Sequence, residues 1–230
     1  MKKALVLTLT GICAVAAFAT ESDPSNTVGF INQTVTTGFS TFSACPIGTS
    51  VGAPASNYIA GQGTAGDRIY KRAGSAWVNY NWSPTWTGLT FDYNSAYLYK
   101  NNSGSGQSLV VAGDVIAEGT ALTMATFVTG FNGFGNPLPL NIDLDGDDLT
   151  LDADGFNSGD RIYSHNGTAW VAFNFNGSTY GLDLLAGESY LVKINGAGFT
   201  WDYTVGAAPA AVEGPAARKV AKTQTISALN

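Results

Sequence analysis

Gly66-Asp67-Arg68-Ile69-Tyr70 recurs unchanged as Gly159-Asp160-Arg161-Ile162-Tyr163, an offset of 93 residues. At the same offset Gly74 falls on Gly167, Ala76-Trp77-Val78 on Ala169-Trp170-Val171, and Asn81 on Asn174. Further on, Gly88-Leu89 meets Gly181-Leu182, Tyr97-Leu98 meets Tyr190-Leu191 and Lys100 meets Lys193. Fifteen of the 35 positions from 66 to 100 are identical, without a gap. Self-similarity of this density at one fixed period marks a duplicated structural unit. Upstream the register slips by one: Thr37-Gly38-Phe39 and Phe42 correspond to Thr129-Gly130-Phe131 and Phe134 at an offset of 92. Two modules are expected, at 26–112 and 119–205, with a short linker from Gly113 to Glu118.

Inside each module the pattern is β. Alternation in Trp170-Val-Ala-Phe-Asn-Phe175 puts Val171, Phe173 and Phe175 on one face, and Val78, Tyr80 and Trp82 repeat the scheme. Before this strand His165-Asn166-Gly167 supplies hairpin turn chemistry, as Ala73-Gly74 does in the first copy. Later turns at Asn176-Gly177, Ala186-Gly187 and Asn195-Gly196 leave room only for short strands. The reading is all-β: two tandem, pseudo-equivalent modules, each a β-sandwich or small barrel. Whether they hold separate cores is not legible at this level.

Residues 1–19 combine Lys2 and Lys3, an apolar run and Ala17-Phe18-Ala19, the pattern of a secretory signal peptide. The run is shorter than the roughly 20 residues that span a bilayer, so no membrane span is expected after cleavage. Export to the periplasm, the cell surface or the extracellular space follows. Residues 206–230 form an Ala/Pro-rich tail, read as disordered. Without the signal, 9 basic side chains face 17 acidic ones, a formal charge of −8 that disfavours nucleic acid. Cys45 alone survives cleavage, so no internal disulfide is possible and a buried thiol is expected.

Several pieces carry a family resemblance: Asn26-Thr-Val-Gly-Phe30, Gly130-Phe131 leading to Asn136-Pro137-Leu138, Tyr163 through Asn166-Gly167 to Trp170, and Leu185-Ala-Gly-Glu-Ser-Tyr-Leu-Val192. On these the chain resembles the secreted, duplicated β-domain proteins of planctomycete and verrucomicrobial bacteria. The first copy departs from the pattern, with Cys45-Pro46-Ile47 for Asn-Pro-Leu and Asn94-Ser95 for Gly-Glu. The resemblance implies a β fold and an envelope location; it brings no activity.

Two local features suggest sites. Asn141, Asp143, Asp145, Asp147 and Asp152, with Gly146 at the sixth place of a twelve-residue loop, space their oxygens as a Ca²⁺ ion requires. Asn at the first place and Asp at the last depart from the usual pattern, and the first copy lacks the carboxylates. Trp86, in a Pro-containing loop and matched by Thr179, is the aromatic expected at the surface, where it could stack on a glycan or a partner protein. The Gly-Asp-Arg triplets read as turn-and-strand structure. With His165 as the only histidine, triads and His-rich zinc sites are excluded, and no enzyme is expected. The expected role is a structural or scaffold component of the envelope or matrix, self-assembling or joined to other envelope material. The alternative is an adhesin-like module that binds carbohydrate or protein.

Overall fold

The computed structural model describes residues 28–45, 48–59, 61–145 and 155–205. The stretches read above as a signal peptide (1–19) and as a disordered tail (206–230) lie outside them. The first half holds β1 (Val28–Val35), β2 (Gly38–Phe42), β3 (Ala53–Pro54), the single-turn helix α1 (Ser56–Ile59), β4 (Arg68–Ala73), β5 (Ala76–Asn81), β6 (Thr90–Phe91), β7 (Tyr97–Asn101) and β8 (Gln107–Asp114). The second holds β9 (Ala121–Phe127), β10 (Gly130–Gly135), β11 (Ile142–Asp143), β12 (Arg161–His165), β13 (Trp170–Asn174), β14 (Asp183–Leu184), β15 (Ser189–Ile194) and β16 (Phe199–Thr204). The chain is all-β, and its sheets are open rather than closed into barrels.

The duplication extends to topology. A four-stranded antiparallel sheet β2-β7-β4-β5 in the first half is matched by β10-β15-β12-β13 in the second. The pairs β3-β6 and β1-β8 are matched by β11-β14 and β9-β16. No strand pairs with a strand of the other half among the described residues. Each half has its own core. Phe42, Ile69, Phe91, Tyr97 and Tyr99 centre the first; Phe134, Ile162, Leu184, Tyr190 and Trp201 centre the second. Tyr93, partly buried, packs against both.

The repeated Gly-Asp-Arg segment is built as a carboxylate-capped turn. Gly66 and Gly159 take φ of 96° and 95°, a conformation that favours glycine. The buried Asp67 accepts N–H groups from Thr64 (2.9 Å) and Asn102 (2.8 Å). Asp160 repeats this with Asn157 (2.9 Å) and Asn195 (2.8 Å). Each carboxylate thereby ties the turn before its own strand to the end of the neighbouring one. In the first half Tyr99 OH and Gln107 Nε2 donate as well.

One expectation about the strand faces needs correction. Tyr80, Trp82 and Phe173 do pack on their cores and Phe175 is buried. Val78 and Val171, however, are 42% and 41% exposed. They share the inward face, but β5 and β13 are the outer strands of their sheets, and there the valines lie past the edge of the core.

The two halves form an isologous contact. Ser43 N–H donates to Gly187 O (2.7 Å), and Gly135 N–H donates to Asn94 O (3.0 Å). Gly135 is the repeat equivalent of Ser43, and Gly187 that of Asn94. Reciprocal bonds between equivalent positions are the signature of a two-fold relation, here within one chain. The approach is close: a Cβ on Gly135 would lie 2.6 Å from Ser95 O and 2.7 Å from Ser43 Cβ. Ser43 Oγ donates to Asn136 O (2.7 Å), and Ser189 Oγ donates to Phe42 O while accepting from Tyr97 N–H (3.0 Å).

Candidate functional site

The expected sites take unexpected places. Trp86 is 3% exposed, its ring between Trp82 and Tyr99 and its Nε1–H donated to Gln62 O (2.8 Å). It is a core residue and presents no ring to a ligand. The reason is Tyr99, which brings the first half's central strand under the loop and offers an aromatic edge that the sequence does not announce. In the acidic segment, Asp147 and Asp152 lie outside the described residues. The oxygens of Asn141, Asp143 and Asp145 serve the main chain: Asn141 Oδ1 accepts from Ala186 N–H (2.8 Å) and Asp143 Oδ1 from Asp145 N–H (2.9 Å). Asp145 accepts Tyr180 N–H on one oxygen and Gly181 N–H on the other, both at 2.7 Å. The described part of the loop fits a brace for the β13–β14 connection; among the described residues no three acidic, His or Cys side chains group to hold a metal.

The outward faces of the two four-stranded sheets carry a feature that spacing alone did not single out. Paired residues on neighbouring strands share a face, so Phe39, Lys100 and Arg68 form a row across β2, β7 and β4. Phe131, Lys193 and Arg161 form the same row across β10, β15 and β12. Phe39 and Phe131 are 37% and 47% exposed, and each holds its lysine over the ring, at 5.5 Å and 5.9 Å. Tyr70 and Tyr163 flank them at ring distances of 5.8 Å and 5.7 Å. Both arginines are exposed. In each row two cations stand directly opposite on adjacent strands, an arrangement that costs stability. The described ion pair is elsewhere, Lys71 to Asp92 at 2.6 Å.

Electrostatically the rest of the surface is of the other sign. Residues 28–205 contain six Lys and Arg. Lys71 is paired and Arg72 is held between the halves, which leaves the two rows with the other four. Asp114, Glu118, Asp143, Asp183 and Asp202 are exposed.

Titration follows burial. Burial pushes the Asp67 and Asp92 carboxyls up, but donated hydrogen bonds, and for Asp92 the Lys71 ammonium, outweigh it, so both titrate below the ordinary range. Burial alone lowers His165 and raises the buried Cys45 thiol far above its usual value. His165 Nδ1 accepts Gly167 N–H (3.2 Å) and its ring meets Trp170 edge-on at 5.1 Å.

Between the halves, on the His165 side, opens a cleft of about 590 Å³ walled by β1 and β2 of one half and by the β12–β13 and β14–β15 turns of the other. No family model, curated protein or solved structure matches the chain.

Proposed function

We propose that the protein is an exported, non-catalytic structural component of the cell envelope or extracellular matrix that assembles with copies of itself. One observation carries the reading. Two like-charged cross-strand pairs, Arg68 with Lys100 and Arg161 with Lys193, stand beside exposed Phe39 and Phe131 at equivalent positions of both halves. A fold gains nothing from opposing cations at a solvent face. A partner of opposite charge relieves them, and the exposed carboxylates of this same chain supply that charge. Two equivalent patches on one body make each molecule bivalent, and a patch meeting a different surface on the next copy makes a heterologous contact, which builds rings or open filaments. The non-catalytic part of the reading rests on commitment of polar groups: Asp67, Asp145 and Asp160 already accept main-chain N–H groups.

Sedimentation of the mature chain across a wide concentration range tests this. Association is expected at low ionic strength and dissociation toward 1 M salt, where the screening length shrinks to about 3 Å. The R68E/R161E variant is expected to remain folded and monomeric. A wild-type chain that stays monomeric throughout at low salt removes the assembly reading.

A further inference from the structure

We propose that the inter-module cleft beside His165 binds a neutral, polyhydroxylated ligand of the carbohydrate class. The inference is independent of self-assembly, because the cleft and the cation rows use different residues.

The first support is an asymmetry within the duplication. His165 is the repeat equivalent of Arg72, and Thr41 that of Gly133. On the Arg72 side, the arginine lies so close to Gly133 that a Cβ there would come within 2.7 Å of Arg72 Cγ, and its Nη2 donates to Phe131 O at 3.3 Å. Arg72 thus fills its side of the pseudo-two-fold. On the other side the shorter His165 faces Thr41, and a cleft of about 590 Å³ remains, within the range of about 300–1,000 Å³ typical of small-ligand pockets. Two changes at equivalent positions, one on each half, separate the open side from the closed one.

The second support is the chemistry of the walls. Thr34, Ser40, Thr41 and Ser164 bring hydroxyls; among the described residues no Lys or Arg lines the space and the acidic Glu188 does, so a phosphate or another strong anion finds no countercharge. Among the described residues Leu185 is the one large apolar side chain on the wall, which disfavours a lipid. Glu188 adds one more acceptor, and its company of hydroxyl, amide and imidazole groups fits a ligand that both donates and accepts many hydrogen bonds. The amides are already oriented for one. Asn141 Oδ1 accepts Ala186 N–H and Asn166 Oδ1 accepts Ala169 N–H (2.9 Å), so on each amide the NH₂ is the end that a ligand would meet as a donor. Gln33 is held the opposite way round, with Nε2 donating to Gly187 O and its buried Oε1 without a donor among the described residues. His165 is fixed by Gly167 N–H on Nδ1, so the neutral ring carries its proton on Nε2. Polar groups held in place by the main chain lose little freedom when a ligand arrives.

The sole histidine is a built-in reporter. The His165 Cε1–H resonance of the full mature chain is to be followed by NMR during titration with the hexasaccharides of cellulose, mannan, xylan and chitin. Inorganic phosphate and a trigalacturonate serve as charged controls. At least one neutral oligosaccharide is expected to give a saturable shift, and phosphate none. The variant T41G/H165R copies the Gly133/Arg72 pair that already exists in the same fold, and by calorimetry it is expected to abolish binding. Thr41→Ala and Ser164→Ala are each expected to weaken it about three- to tenfold, and they decide the matter if the double variant does not fold. No saturable shift with any of the neutral sugars, a phosphate response in their place, or full affinity in folded T41G/H165R would each overturn the proposal.

Discussion

Asp67 and Asp160 have the same job in two settings of different strength. Both are sealed from solvent and both collect two main-chain N–H groups, but Asp67 also takes Tyr99 OH, Gln107 Nε2 and Thr64 Oγ1. Removing either carboxylate strands buried donors, at about 1–3 kcal/mol for each group left unpaired. Asp67→Ala is therefore expected to cost more than Asp160→Ala in urea unfolding, and equal losses would mean that the side-chain donors contribute nothing. Trp86→Ala is expected to cost about 3–5 kcal/mol as a core truncation, a loss that a surface aromatic would not give. The pH response has a definite sign. Asp67 and Asp92 are lowered in the folded state, so their stabilisation is complete above the ordinary carboxylate value of 3.8 and fades as pH falls through the lower folded values. His165 is also lowered, from 6.5; below that value the unfolded chain takes up a proton before the folded one does, so acid destabilises here too. Melting temperature is expected to decline gently below about pH 6.5 and steeply below about pH 4, and His165→Gln should remove the gentle part alone.

At the scale of elements, period-two alternation fixed which face of β5 and β13 turns inward but not how far the core extends beneath them. Val78 and Val171 are legible as inward residues, yet burial depends on whether a neighbouring layer reaches the sheet edge, and that is set by the distant strands of each half. The cation rows have the same origin. Arg68 and Lys100 are 32 positions apart, and nothing in their spacing brings them together; the pairing of β4 with β7 does. Their opposition should be measurable without any partner. Under conditions that keep the chain monomeric, Arg68→Thr is expected to stabilise it by about 0.2–1 kcal/mol, the size of a cross-strand pair effect. Destabilisation would mean that the arginine stem packs usefully on the sheet.

For the whole molecule the decisive contact is the reciprocal pair at Ser43–Gly187 and Gly135–Asn94. It couples two cores that share no strand pairing among the described residues, so the intact chain is expected to unfold in one calorimetric transition. Gly135→Val puts branched carbon where Ser95 O and Ser43 Cβ already lie, and is expected to split that transition into two; a single unshifted transition would show that the halves do not depend on this contact. By itself the sequence determined the all-β character, the duplication and the Gly-Asp-Arg turns, because these rest on local periodicity, glycine conformations and the short-range half of each carboxylate cap, from Thr64 to Asp67 and from Asn157 to Asp160. Only the tertiary structure decided that Trp86 is interior, that four cations form two rows, and that Arg72 closes one side of the interface while His165 leaves the other open. Each of those depends on residues far apart in the chain meeting across strands or across the pseudo-two-fold, and no spacing within one segment encodes such a meeting.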